Sequence, residues 1–169
     1  MSDRGDTAGK AVFARHDALE REAAELLGRI LFAYSRLDVL LGLCIAWAAG
    51  GQGVEAISRQ VSRWDLNKRL GRLSRDVAAS LVLDTAARAA YTKWIEEVHA
   101  VREERNQMVH GRWGVDTLRH GVVNVVGLPS SPDQQERLYA LDDLKAFLGT
   151  IERLQKELSV LRQRHPLCG

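Results

Sequence analysis

The stretch Val101-Arg102-Glu103-Glu104-Arg105-Asn106-Gln107-Met108-Val109-His110-Gly111-Arg112-Trp113 is the hinge of this sequence. It has the texture of the last turns of a long helix stopped at Gly111, with a dense set of polar groups beside the stop. Upstream of it, Ala87, Tyr91, Trp94, Val98, Val101, Arg105 and Met108 recur at heptad-like steps. That spacing predicts one helix from about Thr85 to His110, with Asp84 as its cap. Arg105 therefore occupies a position on the apolar seam. Gly111 fits the left-handed residue that closes helices.

After Gly111 the texture changes. Trp113 to Thr117 and Val122 to Val126 are rich in β-branched residues and are joined by Leu118-Arg119-His120-Gly121, which predicts a two-stranded hairpin. Leu128 to Gln135, with Pro129 and Pro132, reads as a loop. Asp142 or Asp143 then caps a final helix with the stripe Leu144, Phe147, Leu148, Ile151, Leu154, Leu158 and Leu161, ended by Pro166. Before the hinge, Leu19, Ala23, Leu26, Ile30, Ala33, Leu37, Leu41, Cys44 and Ala48 predict a long first helix from about Asp17. Beyond Ile30 it is apolar on nearly all sides, as in a helix that is buried or shared between subunits; Asp38 is unexpected there. Gly50-Gly51-Gln52-Gly53 ends it. A short helix from Val54 to about Ser62 and a third near Leu66 to Leu83 follow. The third has the stripe Leu66, Leu70, Leu73, Val77 and Leu81 and another face of Lys68, Arg72 and Arg75, with Arg59, Arg63 and Arg69 nearby. The fold class expected is all-α, a bundle of four or five helices with a small β-hairpin inserted before the last.

The bulk numbers narrow the classes. A chain of 169 residues suits one domain with a real core, and an apolar fraction of 46 % argues against wholesale disorder. A net charge of +2 neither demands nor excludes nucleic acid. Cys44 and Cys168 lack Cys-x-x-Cys spacing, which points to a reducing compartment and away from a zinc knuckle or disulfide scaffold. The first ten residues are polar and lack the apolar centre of a signal peptide. The apolar run Leu37 to Ala49 contains Asp38 and is shorter than the roughly 20 residues a bilayer span needs. The expectation is a soluble cytoplasmic protein with no membrane partner. His16, His99, His120 and His165 share no metal-ligand spacing, so no metal and no cofactor are expected.

Arg102, Asn106 and His110 stand four apart and project from one helix face. Arg105 lies about 140° from His110 at 100° per residue. A regular helix does not set Arg105 beside His110. Either the helix unwinds at Gly111 and the long Arg reaches across, or two copies complement each other at a two-fold interface. The residue types suit attack on a phosphodiester. Histidine exchanges protons near neutral pH, arginine holds phosphate oxygens and stabilises developing charge, and asparagine orients a hydroxyl or phosphate. RNA brings its own nucleophile, the 2′-OH. The sequence lacks an acidic cluster suited to magnesium, which agrees with a metal-independent reaction.

Arg105-Asn106-x-x-x-His110-Gly111 resembles the motif of the HEPN superfamily, an Arg separated by a few residues from a His and often followed by a polar residue. Val109-His110-Gly111-x-Trp113 and Asp142-Asp143-Leu144 are similar to stretches of a group of bacterial HEPN-like proteins with a hairpin between. The resemblance implies a tail over residues 1–14, disordered, and a single HEPN-like helical domain over 15–165. It implies a homodimer with facing motifs and a metal-independent endoribonuclease of toxin or defence type acting on RNA, with an antitoxin or regulatory protein as a further partner. Carried over, Arg105, Asn106 and His110 are catalytic, and Arg102, Arg112 and Asp38 contact substrate. Some members of the superfamily have lost catalysis and serve as RNA-binding or protein-interaction modules, and that alternative stays open.

Each of these residues also has a plainer reading. Arg105 is a seam arginine paired with Asp38, its charge satisfied without catalysis. His110 is a helix C-terminal residue favoured by the dipole. The Arg59 to Arg75 cations are either an RNA track or a solvated face. Trp113 is a packing anchor for the hairpin or a base-stacking surface.

Overall fold

A computed structural model of the protein describes residues 3–49 and 54–167, with side chains from residue 9 onward. The stop at residues 50–53 and Cys168 lie outside the described residues. The chain runs α1 (Asp3–Ala48), α2 (Val54–Val61), α3 (Leu66–Ser80), α4 (Thr85–His110), β1 (Arg112–Asp116), β2 (Gly121–Val126), β3 (Gln135–Ala140) and α5 (Leu141–Arg164). The expected class holds: a helical protein with a small antiparallel β insertion before its last helix.

Three expectations are corrected. The hairpin is a three-stranded sheet in the order β1-β2-β3, because Gln135–Ala140 pairs with β2 along its whole length instead of continuing the preceding loop. α1 starts at Asp3, ahead of the start near Asp17 that the apolar repeat predicts; the Ala-rich run between residues 8 and 24 favours helix. Gly111 is not left-handed. Among the described glycines only Gly127 has positive φ, at 98°.

The chain forms two compact units, one comprising Met1–Leu31 and Glu104–Gly149 and the other Phe32–Glu103 and Thr150–Gly169. The first buries Ala23, Leu26, Ile30, Met108, Val122, Tyr139, Leu144 and Leu148. Its sheet turns one face inward through register: Trp113 is opposite Asn124, and Asn124 is opposite Arg137. Side chains alternate along strands, so Trp113, Val115, Val122, Asn124, Arg137 and Tyr139 share that face.

The second unit buries larger side chains. Tyr91, Trp94, Leu37, Leu41, Ile45, Leu70, Leu73, Leu154 and Leu158 are almost wholly withdrawn from solvent. Two aromatic side chains are tied down by backbone carbonyls. Trp94 Nε1 donates to the Leu154 carbonyl at 2.9 Å, and the Tyr91 hydroxyl donates to that of His165 at 3.1 Å. The caps explain the helix starts here. Asp65 accepts from the Lys68 amide at 2.8 Å to open α3, and Asp84 accepts from the Ala87 amide at 2.9 Å to open α4, as expected of N-cap carboxylates. Within Gly9–Ala48, α1 also holds an 18-residue window of mean hydropathy 1.6, long and apolar enough to cross a membrane by length and composition alone. The shorter run Leu37 to Ala49 had masked this. Of that window 44 % is buried within the protein, and a core helix passes the same test.

Candidate functional site

The last turn of a helix leaves carbonyls without intrahelical partners. In α4 two side chains of the sheet meet them. Trp113 Nε1 donates to the Met108 carbonyl at 2.9 Å. The Asn124 amide donates to the same carbonyl at 3.3 Å. With that amide turned over, its nitrogen donates to the Gln107 carbonyl at 3.2 Å and its oxygen accepts from Trp113 Nε1 at 3.2 Å, which satisfies both ends of the group. Either way, buried Asn124 closes the helix end. Gly111 follows from this: a Cβ there would overlap the Asn124 carboxamide. The glycine serves close approach of β2, not a left-handed turn. Its own amide donates to the Gln107 carbonyl at 3.2 Å.

A second set of bonds joins the same helix to β3. The Tyr139 hydroxyl donates to Glu104 Oε1 at 2.8 Å. Arg137 Nη1 donates to the other Glu104 oxygen and, at 3.2 Å, to Gln107 Oε1. The Arg137 guanidinium lies 5.0 Å from the Tyr139 ring centre, and Trp113 and Tyr139 pack as a tilted ring pair 5.4 Å apart. Burial, and then the hydrogen bond to Glu104, push the Tyr139 hydroxyl far above the ordinary tyrosine range. Tyr139 is a structural donor, not a proton shuttle. Glu104 has both carboxylate oxygens engaged.

The candidate residues are disposed as follows. Arg105 Nη1 donates to Asn106 Oδ1 at 3.0 Å, so these two are brought together. Arg105 also lines a cleft of about 290 Å³ with Leu27, Ile30, Leu31, Met108, Val109, Gly111 and Trp113. That lining is apolar apart from the guanidinium, so the charge sits at the edge of a poorly solvated space. His110 is the last residue of α4 and is exposed. Its imidazole makes no hydrogen bond or ion pair with the described residues. Because α4 stays helical through His110, unwinding does not carry Arg105 toward it, and His110 is not among the residues that line the Arg105 cleft. Exposed Arg112 is tied to a loop, its Nη2 donating to the Gly127 carbonyl at 2.9 Å.

Arg102 and Asp38 belong to the second unit. Half-buried Arg102 approaches Glu103 at 3.8 Å. Asp38 is held by Arg69: Arg69 Nη1 lies 2.8 Å from Asp38 Oδ1. The same guanidinium donates to the carbonyls of Asp38 at 2.9 Å and Val61 at 3.2 Å. Arg69 is the buried arginine that the helix stripe of α3 conceals. Arg69 sits one turn from the α3 cap beside the end of α2, where Val61 offers it a carbonyl.

Sequence reasoning missed Asn124, Glu104, Arg137 and Tyr139 as the residues that fix the helix end. The available signal was Asn124 itself, the one amide in Val122-Val123-Asn124-Val125-Val126. Among the described residues, one group, His16, Asp17 and Glu20, brings potential metal-ligand atoms within 4.8 Å of one another. It lies on a largely exposed stretch of α1, with His16 Nδ1 3.5 Å from Asp17 and 3.9 Å from Glu20. No family model, curated protein or solved structure matches this chain.

Proposed function

We propose that the protein is a HEPN-like, metal-independent endoribonuclease that works as a homodimer. The supporting observation is the contrast at the end of α4. Its neighbouring polar side chains Glu104, Asn106 and Gln107 are all engaged, while His110 stands exposed at a tip clamped by Asn124 and Trp113. A free imidazole on a rigid support suits general acid–base chemistry. In the reaction, His110 takes the proton of the 2′-OH, the 2′ oxygen attacks phosphorus as the P–O5′ bond breaks, and the imidazolium returns a proton to the leaving 5′ oxygen. The products are a 2′,3′-cyclic phosphate and a 5′-OH, with no water consumed. Arg105 stabilises the charge that develops on the phosphoryl oxygens, and Asn106 holds its guanidinium. Since one regular helix separates Arg105 from His110, a second copy supplies the complementary half of the site.

The test is cleavage of mixed RNAs in the presence of chelator, with end-group analysis. Cyclic phosphate ends that vanish in His110→Ala and in Arg105→Ala support the reading. Activity no greater than that of the double variant rejects it. The apolar lining of the Arg105 cleft favours one other reading, a non-catalytic module whose cleft grips a protein or a second copy. In that case Arg105→Ala lowers dimer affinity and no cleavage accompanies it.

A further inference from the structure

The elbow between α2 and α3 carries a second feature, made wholly within one unit. Ala56, Arg59, Gln60, Arg63, Trp64 and Lys68 line an open cleft of about 540 Å³. Three of the six are cations and none is acidic. Arg59 comes from the last turn of α2, Arg63 and Trp64 from the connecting turn, and Lys68 from the first turn of α3. The fold forces them together, because the turn is closed by backbone bonds from Arg63 to the Gln60 carbonyl and from Trp64 to the Val61 carbonyl.

Arg69, Arg72, Arg119, Arg137, Lys145 and Arg153 each lie within ion-pair distance of a carboxylate. Arg59, Arg63 and Lys68 have no carboxylate partner among the described residues. Arg59 only donates to the carbonyl of Glu55 at 3.4 Å, and the nearby Asp65 is committed to capping α3. Lys68 rests on the indole, its ammonium 5.1 Å from the Trp64 ring centre. Three like charges around one concavity repel one another until an anion enters. An aromatic ring beside them adds a surface for a nucleobase. Besides Ala56 and the ring, the lining side chains are all polar or charged. A membrane-binding surface needs a broad apolar face, so the cleft suits a strand better than a bilayer.

We propose that this elbow binds single-stranded RNA, with Arg59, Arg63 and Lys68 on consecutive phosphates and Trp64 under a base. The site shares its ligand class with the proposed nuclease but does not depend on His110. It is tested in the full chain carrying His110→Ala, so that the strand survives, by fluorescence anisotropy of a labelled oligouridylate across a salt series. Three phosphate contacts give a slope of log affinity against log salt of about −2. Combined Arg59→Gln, Arg63→Gln and Lys68→Gln substitutions reduce the magnitude of the slope by about 2. Trp64→Ala weakens binding about tenfold at unchanged slope, as loss of one stacked base does, and Trp64→Phe restores most of it.

Wild-type affinity and slope in the triple variant, with its melting temperature preserved, would overturn the proposal. So would sedimentation with phosphatidylserine vesicles that the triple variant abolishes while oligouridylate binding is untouched, since the partner would then be a lipid surface. Failure of the nuclease reading is seen separately, as absent cleavage by the chain with His110 intact.

Discussion

Gly111→Ala probes the link between the sheet and the end of α4. The added Cβ falls on the carboxamide of Asn124, a residue that is 2 % exposed and has little freedom to withdraw. Overpacking of this kind costs about 1–3 kcal/mol. Displacing the amide also breaks its bonds to the α4 carbonyls and to Trp113, and a buried amide left unmatched costs about another 1–3 kcal/mol. Together they amount to about 2–6 kcal/mol. At about 2–4 °C per kcal/mol for a chain of this size, the melting temperature falls by roughly 4–24 °C. Backbone strain adds nothing, because Gly111 does not have positive φ. The assay is a double-mutant cycle with Asn124→Ala, read by urea unfolding. Once the carboxamide is gone, Gly111→Ala becomes neutral or stabilises by up to about 1 kcal/mol through the unfolded state. The coupling between the two positions is then at least about 2 kcal/mol. Equal costs of Gly111→Ala in both backgrounds, or a cost below about 0.5 kcal/mol in the wild type, would refute the idea that Asn124 dictates the glycine.

Other expectations follow from single contacts. Arg69→Leu removes the partner of Asp38 and two carbonyl bonds. It destabilises by about 3 kcal/mol in urea unfolding, near the low end for a broken buried pair because Asp38 keeps some access to water; a loss under about 1 kcal/mol would contradict this pairing. Burial, opposed by Arg162 and aided by Asp76, raises the Cys44 thiol to about 11; in a Cys168→Ser variant, alkylation at neutral pH therefore waits for unfolding, and prompt labelling of the native protein would count against it. In Asp116 the carboxyl is held below its ordinary range, first by the backbone amide of Arg119 and then by its guanidinium. Its contribution to stability is therefore present above the unfolded carboxyl pKa of about 3.9 and is lost as pH falls through the lower folded value. Asp116→Asn should flatten the acid limb of the urea midpoint against pH below about 4, and an unchanged limb would show that this turn does not set it.

How much could be read from the sequence depended on how local the cause was. α4 was legible to both ends, since the Asp84 cap and the seam from Ala87 to Met108 are local signals. β3 was not. Its Gln135-Glu136-Arg137-Leu138-Tyr139-Ala140 is an edge strand, exposed except at Tyr139, so little apolar alternation marks it. Arg137 looks like a surface charge until the register sets it opposite Asn124. Asn124 likewise looks like a blemish in a valine run until Trp113 is its neighbour. The pairing of Arg69 with Asp38 is a tertiary fact that no periodicity encodes. Gly111 was singled out correctly for the wrong reason: helix ends usually need glycine for its left-handed backbone, whereas here the need is room for a side chain from another strand.

The β insertion has a consequence for the chemistry of the motif. α4 ends with two acceptors that could in principle act as bases, the carboxylate of Glu104 and the imidazole of His110. The third strand removes the first from consideration. Arg137 and Tyr139 donate to both Glu104 oxygens, so each oxygen is already occupied by a donor of the sheet. The second strand fixes the second, because bonds from Asn124 and Trp113 to the last turn hold the helix tip still while leaving His110 in solvent. A helix tip without the sheet would fray, and a frayed tip cannot hold an imidazole at hydrogen-bond distance from a reacting hydroxyl. Under the proposed nuclease reading, the sheet is the part that selects which group at the helix end is free to act. Tyr139→Phe with Arg137→Ala would release Glu104. If His110 is the base, cleavage should fall only as far as the helix end loosens and should keep its dependence on His110. If cleavage instead survived His110→Ala in that background, the carboxylate had been the competent group and the assignment of His110 would fail.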